Sequence, residues 1–143
     1  ILVSQFMAHL SHADIMVISH ANVTTKNLSK DDIRLIFLNK SDKLSNKKSS
    51  DLVLLELDSK AARVFFKQVM RMTPSKFKAH WATQIFTGKG QSPIYIDNPQ
   101  EIIDYVASTP YAVGLVDVGK NNIGQETQQI FLDGVRTLYT LKN

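Results

Sequence analysis

The chain contains no cysteine. That excludes a disulfide framework, a thiolate metal site and a cysteine nucleophile. It also lacks any uninterrupted apolar run of about 18 residues, the length a membrane span needs, so no membrane span is expected. Histidines number four, and no carboxylate pair stands at a readable spacing, so neither a metal site nor a nucleophile–base pair is legible. The reading is of a protein that is not an enzyme and needs no cofactor. Tryptophan occurs once, as Trp81, and its setting fits a core better than a sugar platform. A further deficit is local: between Asp58 and Asp97 there is no acidic residue. The same interval carries Lys60, Arg63, Lys67, Arg71, Lys76, Lys78 and Lys89, seven of the 17 basic residues, while the rest of the chain is slightly acidic. Such a one-signed stretch is either a solvated basic face or a surface that draws in anions.

What is present is ordinary for a globular domain. The 143 residues, 43% apolar and 21% charged, suffice for one domain with a real core and not for two. The first thirteen, "ILVSQFMAHLSHA", are uncharged and end in Ser11-His12-Ala13, a small-x-small pattern that suits cleavage of a secretory signal. Residues 1–13 are therefore expected to be the remnant of a signal peptide, with 14–143 as the domain and export as the consequence. His9 and His12 would leave with it, so His20 and His80 remain.

"DIMVISHANV" (14–23) reads as a buried strand entering a polar loop. Ser29, with Asp32 at the capping-box position, opens a helix whose inner face is Ile33, Ile36 and Phe37. Residues 39–51 form a lysine-rich surface loop. "LVLLEL" (52–57) reads as a central strand buried on both faces. Asp58 or Ser59 then caps a helix running to about Met72. Ala62, Phe65, Phe66, Val69 and Met70 form its buried stripe, and Arg63, Lys67 and Arg71 stand on the other side. Thr73-Pro74 restarts a helix with Phe77, Trp81 and Ile85 as its packing face. Gly88 and Gly90 end it. "PIYI" is a short strand, Asn98-Pro99 opens a helix with Ile102, Ile103 and Val106 inward, "AVGLVDV" (112–118) is a strand, "NNIGQETQQ" a loop, and "VRTLYTL" (135–141) a half-exposed strand. Strands alternating with helices predict an α/β domain with a mostly parallel sheet flanked by helices.

The loop "TGKG" is not a nucleotide loop. It lacks the G-x-x-x-x-G-K-[S/T] spacing, follows a helix instead of preceding one, and sits where the helix dipole is negative.

Four segments in order, "LSKDDIRLIFLNK" (28–40), "ARVFFKQVMRMTPSKFKAHWATQIFTGKG" (62–90), "SP" (92–93) and "IIDYVASTPYAVGLVDV" (102–118), resemble the small exported phosphate ABC transporter substrate-binding-like proteins. The resemblance implies a single lobe of the type II periplasmic-binding-protein-like fold, an anion site at a helix N-terminus, and a role in phosphate transport in the periplasm. It implies phosphate or another small oxyanion as ligand and an ABC permease or an envelope protein as partner; nucleic acid is not expected, since the export reading argues against it and no recognition motif is present. Where the family's helix begins Ser-Gly-Thr, this chain has Lys60-Ala61-Ala62, which removes two hydroxyl donors. The candidate ligand-binding residues are Ser59, Lys60 and Arg63, with Ser19, Asn22, Thr87 and Lys89 as further candidates. The alternative is the same fold reused as a structural or protein-interaction module of the cell envelope, its Arg/Lys stripe meeting an acidic protein surface.

Overall fold

The computed structural model describes residues 14–41, 43–44, 51–119 and 132–142. The expected signal remnant (1–13), most of the lysine-rich loop after position 44, and the polar stretch 121–129 lie outside the described residues. Among the described residues five strands form one sheet: β1 (Asp14–His20), β2 (Leu52–Leu54), β3 (Ile94–Tyr95), β4 (Val113–Asp117) and β5 (Val135–Lys142). Four helical segments connect them: α1 (Lys30–Phe37), α2 (Lys60–Phe65, prolonged by a π-helical turn Phe66–Met70), α3 (Pro74–Phe86) and α4 (Pro99–Ser108).

The strand order is β3-β2-β4-β1-β5. β2 runs parallel to both its neighbours, and β1 runs antiparallel to both of its own. Only β1 opposes the common direction, yet its central place makes two of the four pairings antiparallel. The sheet is therefore mixed, which corrects the mostly parallel expectation. The reason is non-local: an apolar Ile/Val run such as β1 can pair in either sense, and its direction is decided by where the following connection lands.

The connections β2→β3 and β3→β4 cross the sheet in opposite directions. With right-handed crossovers their helices lie on opposite faces. α4 covers one face with Ile102, Ile103 and Val106, all buried. On the other, α1, α2 and α3 gather round a chain of aromatic rings: Phe37–Phe65 at 5.3 Å, Phe65–Phe66 at 6.1 Å, Phe66–Phe77 at 5.1 Å and Phe77–Trp81 at 6.5 Å between centroids. α1 stops against this cluster, and its end is closed by α3. Trp81 Nε1 donates to Phe37 O at 3.0 Å, and His80 Nε2 lies 2.7 Å from Leu38 O. These bonds satisfy carbonyls that the end of a helix leaves unpaired. The packing face of α3 ends at Trp81, because its last turn runs past the cluster. Ile85, expected inside, is 45% exposed, and Phe86 is 93% exposed.

The π turn has a legible cause. Apolar pairs at 61/62, 65/66 and 69/70 repeat every four residues, and all six side chains are buried. In an α-helix each such step drifts by about 40° around the axis, because a turn takes 3.6 residues. A wider turn takes up the drift and keeps the pairs on one side.

The capping box of α1 forms as its spacing predicts. Ser29 Oγ accepts from Asp32 N at 3.1 Å and Ser29 N donates to Asp32 Oδ2 at 2.8 Å. The Lys43 ammonium pairs with the other oxygen of Asp32. Bonds from Lys43, then from the Ser29 amide and hydroxyl, hold the Asp32 carboxyl at about 2, below its ordinary 3.8. A carboxyl whose pKa is depressed on folding stabilises the fold above its unfolded value and ceases to as pH falls through its folded value. Ser29→Ala is expected to cost about 1 kcal/mol at neutral pH. Asp32→Asn should be less stable than the parent at neutral pH, with the gap closing as pH falls from 3.8 towards 2. Denaturant midpoints at several pH values measure both.

Candidate functional site

β2, β3 and β4 end on the same edge of the sheet, and α2 and α4 start there on opposite faces. This is the carboxyl-end crevice at which open α/β sheets bind ligands. A cavity of about 330 Å³ lies at this edge, lined by Leu55, Ser59, Lys60, Ala61, Asp97, Pro99, Ile102 and Asp117. Each side chain arrives for a local reason. Ser59 is the N-cap of α2, its Oγ accepting from Ala62 N at 3.1 Å while its own N–H donates to Glu56 O at 3.1 Å. Arg63 N takes Ser59 O, also at 3.1 Å. Among the described residues these bonds leave the first-turn amides of Lys60 and Ala61 for a ligand, beside the exposed Lys60 side chain.

Two carboxylates share this cavity. Asp97 follows β3, and Asp117 is the last residue of β4, 8% exposed, its Oδ1 accepting from Gly119 N at 3.0 Å. Lys60 is the cation among the residues that line the cavity. Sequence reasoning did not single out the two carboxylates, although a signal was there: Asp117 closes the apolar run of β4 and Asp97 follows β3, where the carboxyl ends of parallel strands meet.

The other candidates lie elsewhere. Arg63 lines a separate groove of about 510 Å³ with Phe66, Lys67, Arg71, Met72, Thr73, Pro74 and Lys76. The register Ile15↔Asp117 and Ser19↔Val113 puts Ser19 at the opposite end of β4 from the cavity, about 13 Å away along the strand at 3.3 Å per residue. Ser19 is fully buried and its hydroxyl donates to His20 O at 3.3 Å. Asn22 is engaged locally, its N–H donating to His20 Nδ1 at 3.0 Å. Thr87 Oγ1 donates to Thr83 O at 2.7 Å, closing the end of α3. Lys89 is exposed, and its backbone is held by Gln84 O at 2.8 Å and by Asn39 Nδ2 at 2.9 Å. The chain then passes Gln91 and Ser92 beside Asp51 and Leu52, at the amino-terminal start of β2. A small cavity there, about 70 Å³, includes Tyr105, whose hydroxyl donates to Asp51 Oδ2 at 3.1 Å. Burial, then that bond, raises the Tyr105 phenol above its ordinary value. The structure thus brings Ser59 and Lys60 together and separates them from Arg63, Ser19, Asn22, Thr87 and Lys89.

Among the described residues no three His, Asp or Glu side chains group as a metal site. No helix among them is long and apolar enough to cross a membrane.

A mixed five-stranded α/β domain with a cavity at its carboxyl edge is the class that fold and geometry define. Among the solved structures similar to this chain in fold are two receptors. One is the crystal structure of an ABC-type phosphate transport receptor from Vibrio cholerae, at 13% identity and a TM-score of 0.55, covering 90% of this chain and 46% of that one. The other is a putative phosphate ABC transporter substrate-binding protein with bound phosphate from Clostridium perfringens, at 18% identity and a TM-score of 0.58, covering 90% of this chain and 45% of that one. At these identities the likeness is one of fold. The chain spans about half the length of each receptor. No family model and no curated protein matches the sequence.

Proposed function

We propose that this chain is a non-catalytic binding domain, one lobe of a type II binding-protein fold. It would be exported to the periplasm and take phosphate or a related oxyanion at the carboxyl-edge cavity. The observation that carries the reading is the start of α2 in that cavity. Unbroken helix from Lys60 to Met70 directs free first-turn amides and the positive end of its dipole there, with the Lys60 ammonium beside them. The fold shared with two phosphate receptors supports the ligand class, and an ABC permease is the partner it implies.

Asp97 and Asp117 sharpen the chemistry. A fully ionised tetrahedral anion meets repulsion from them. An oxyanion that keeps a proton can donate it to a carboxylate, turning repulsion into a charge-assisted hydrogen bond. Phosphate retains a proton at neutral pH and sulfate does not, so the cavity should discriminate between them. Calorimetric titration with phosphate, sulfate and a neutral control is the test, and phosphate is expected to bind more tightly than sulfate. A charge-assisted contact contributes about 1.5–3 kcal/mol, so Lys60→Ala should weaken phosphate binding by roughly ten- to a hundredfold. Lys89→Ala and Arg63→Ala should change it little.

A second reading has its own observation. Lys60-Ala61-Ala62 offers no hydroxyl where the resembled family has Ser-Gly-Thr, which favours a lobe reused as an interaction module of the envelope. Absence of phosphate binding at millimolar concentration would install that reading in place of the first.

A further inference from the structure

The groove that takes Arg63 away from the cavity has chemistry of its own. Four cations line it, Arg63, Lys67, Arg71 and Lys76, all exposed, and no carboxylate does. Among the described residues none of the four forms an ion pair. Like charges gathered without counter-charge repel one another and cost stability, so such a surface favours an external anion.

Two backbone features gather the cations. Arg63, Lys67 and Arg71 repeat every four residues, and the π turn that realigns the buried pairs keeps this row aligned too, so all three reach one groove. Arg71 ends the turn in the left-handed conformation, φ 53 and ψ 38. Glycine or asparagine adopts that conformation with less strain. Arg71 holds this conformation and lines the groove. On the far side α3 begins at Thr73, whose side chain accepts from Lys76 N at 3.2 Å, and its first turn holds no acid to offset the positive dipole end.

The rest of the groove decides what kind of polyanion fits. Its apolar lining comes from Phe66, 1% exposed, with half-buried Met72 and Pro74. No aromatic ring lies open in it for base stacking, which single-stranded nucleic acid would use. Met72 gives an adaptable apolar seat for a side chain.

We propose that this groove docks an extended acidic polypeptide segment of another protein, carboxylates on the four cations and an apolar side chain on Met72 and Pro74. The surface is distinct from the cavity and does not depend on what the cavity binds. The test is fluorescence anisotropy of the whole chain with a short labelled peptide of alternating Glu and Leu. Controls are a Gln/Leu peptide, a Glu/Ser peptide, oligo(dT) and anionic phosphatidylserine vesicles.

The Glu/Leu peptide is expected to bind, the Gln/Leu peptide not to bind, and the Glu/Ser peptide to bind more weakly. Binding should fall steeply with added salt, since exposed charges are screened over about 10 Å at 0.1 M. Arg71→Gly is the informative variant. Glycine suits the left-handed position, so stability should hold or rise while peptide affinity falls by about tenfold, the loss of one charge-assisted contact. Lys67→Glu with Lys76→Glu should abolish binding. Millimolar phosphate, with ionic strength held constant, should not compete. Oligo(dT) or vesicles binding as tightly as the peptide would overturn the proposal. So would no peptide binding, full affinity in Arg71→Gly, or competition by phosphate.

Discussion

Trp81→Ala is expected to destabilise the domain by about 3–5 kcal/mol, a large share of the 5–15 kcal/mol typical of a whole domain. Three losses combine. The indole is 5% exposed and ends the aromatic chain, packing edge-on against Phe77 with ring centroids 6.5 Å apart. Its N–H satisfies the buried Phe37 carbonyl at the end of α1, and removing a donor leaves that acceptor unpaired. It also supports the glycine loop, since a Cβ built on Gly90 would lie 3.1 Å from Trp81 Cζ3. Trp81→Phe should recover part of the packing and none of the hydrogen bond, landing between parent and Ala variant. Denaturant unfolding followed by circular dichroism measures the series. A loss under about 1 kcal/mol for Trp81→Ala would contradict the role given to the indole here.

Gly114→Ala is expected to cost about 1–3 kcal/mol, and Gly114→Val more, because added methyls overpack a filled core. Gly114 lies in β4, hydrogen-bonded between β1 and β2, where α4 crosses the sheet. A Cβ there would lie 2.9 Å from Val106 Cγ2, 3.1 Å from Ile18 Cγ1 and 3.2 Å from Ile102 Cγ2. These atoms belong to fully buried side chains, so none can swing into solvent. Conformation is not the cause, for Gly114 is not among the positive-φ residues. The requirement is space. Val106→Ala should therefore partly rescue Gly114→Ala. A double-mutant cycle reads that coupling, and simple additivity would show that Gly114 is not held small by α4.

The elements were legible because their causes are short-range. Ser29, Ser59, Thr73 and Asn98 each cap the helix that the sequence assigns to them, through bonds to amides two or three residues on. Apolar spacing placed strands in "DIMVISHANV", "LVLLEL" and "AVGLVDV", of which Asp14–His20, Leu52–Leu54 and Val113–Asp117 join one sheet, and it placed Trp81 inside. It failed at Ile85, where the pattern continues but α3 has run beyond the body it packs on. Of the residues that line the carboxyl-edge cavity, the sequence singled out only Ser59 and Lys60. Helix position suggested that Arg63 would join them. One turn further along α2, however, its side chain reaches a different groove, and no spacing rule says which groove a helix flank adjoins.

Taken alone, the amino-acid sequence determined the helix starts, the buried stripes, the absence of acid between Asp58 and Asp97 and the lack of nucleotide-loop spacing in "TGKG". Those properties rest on hydrogen bonds, periodicities and charges within about one or two helical turns. Tertiary structure decided the reversed direction of β1, the meeting of Ser59 and Lys60 with Asp97 and Asp117, and the gathering of four cations in a second groove. Each depends on strand order and on which sheet edge a helix begins at. Those are set by packing between residues tens of positions apart, where local preference carries no information.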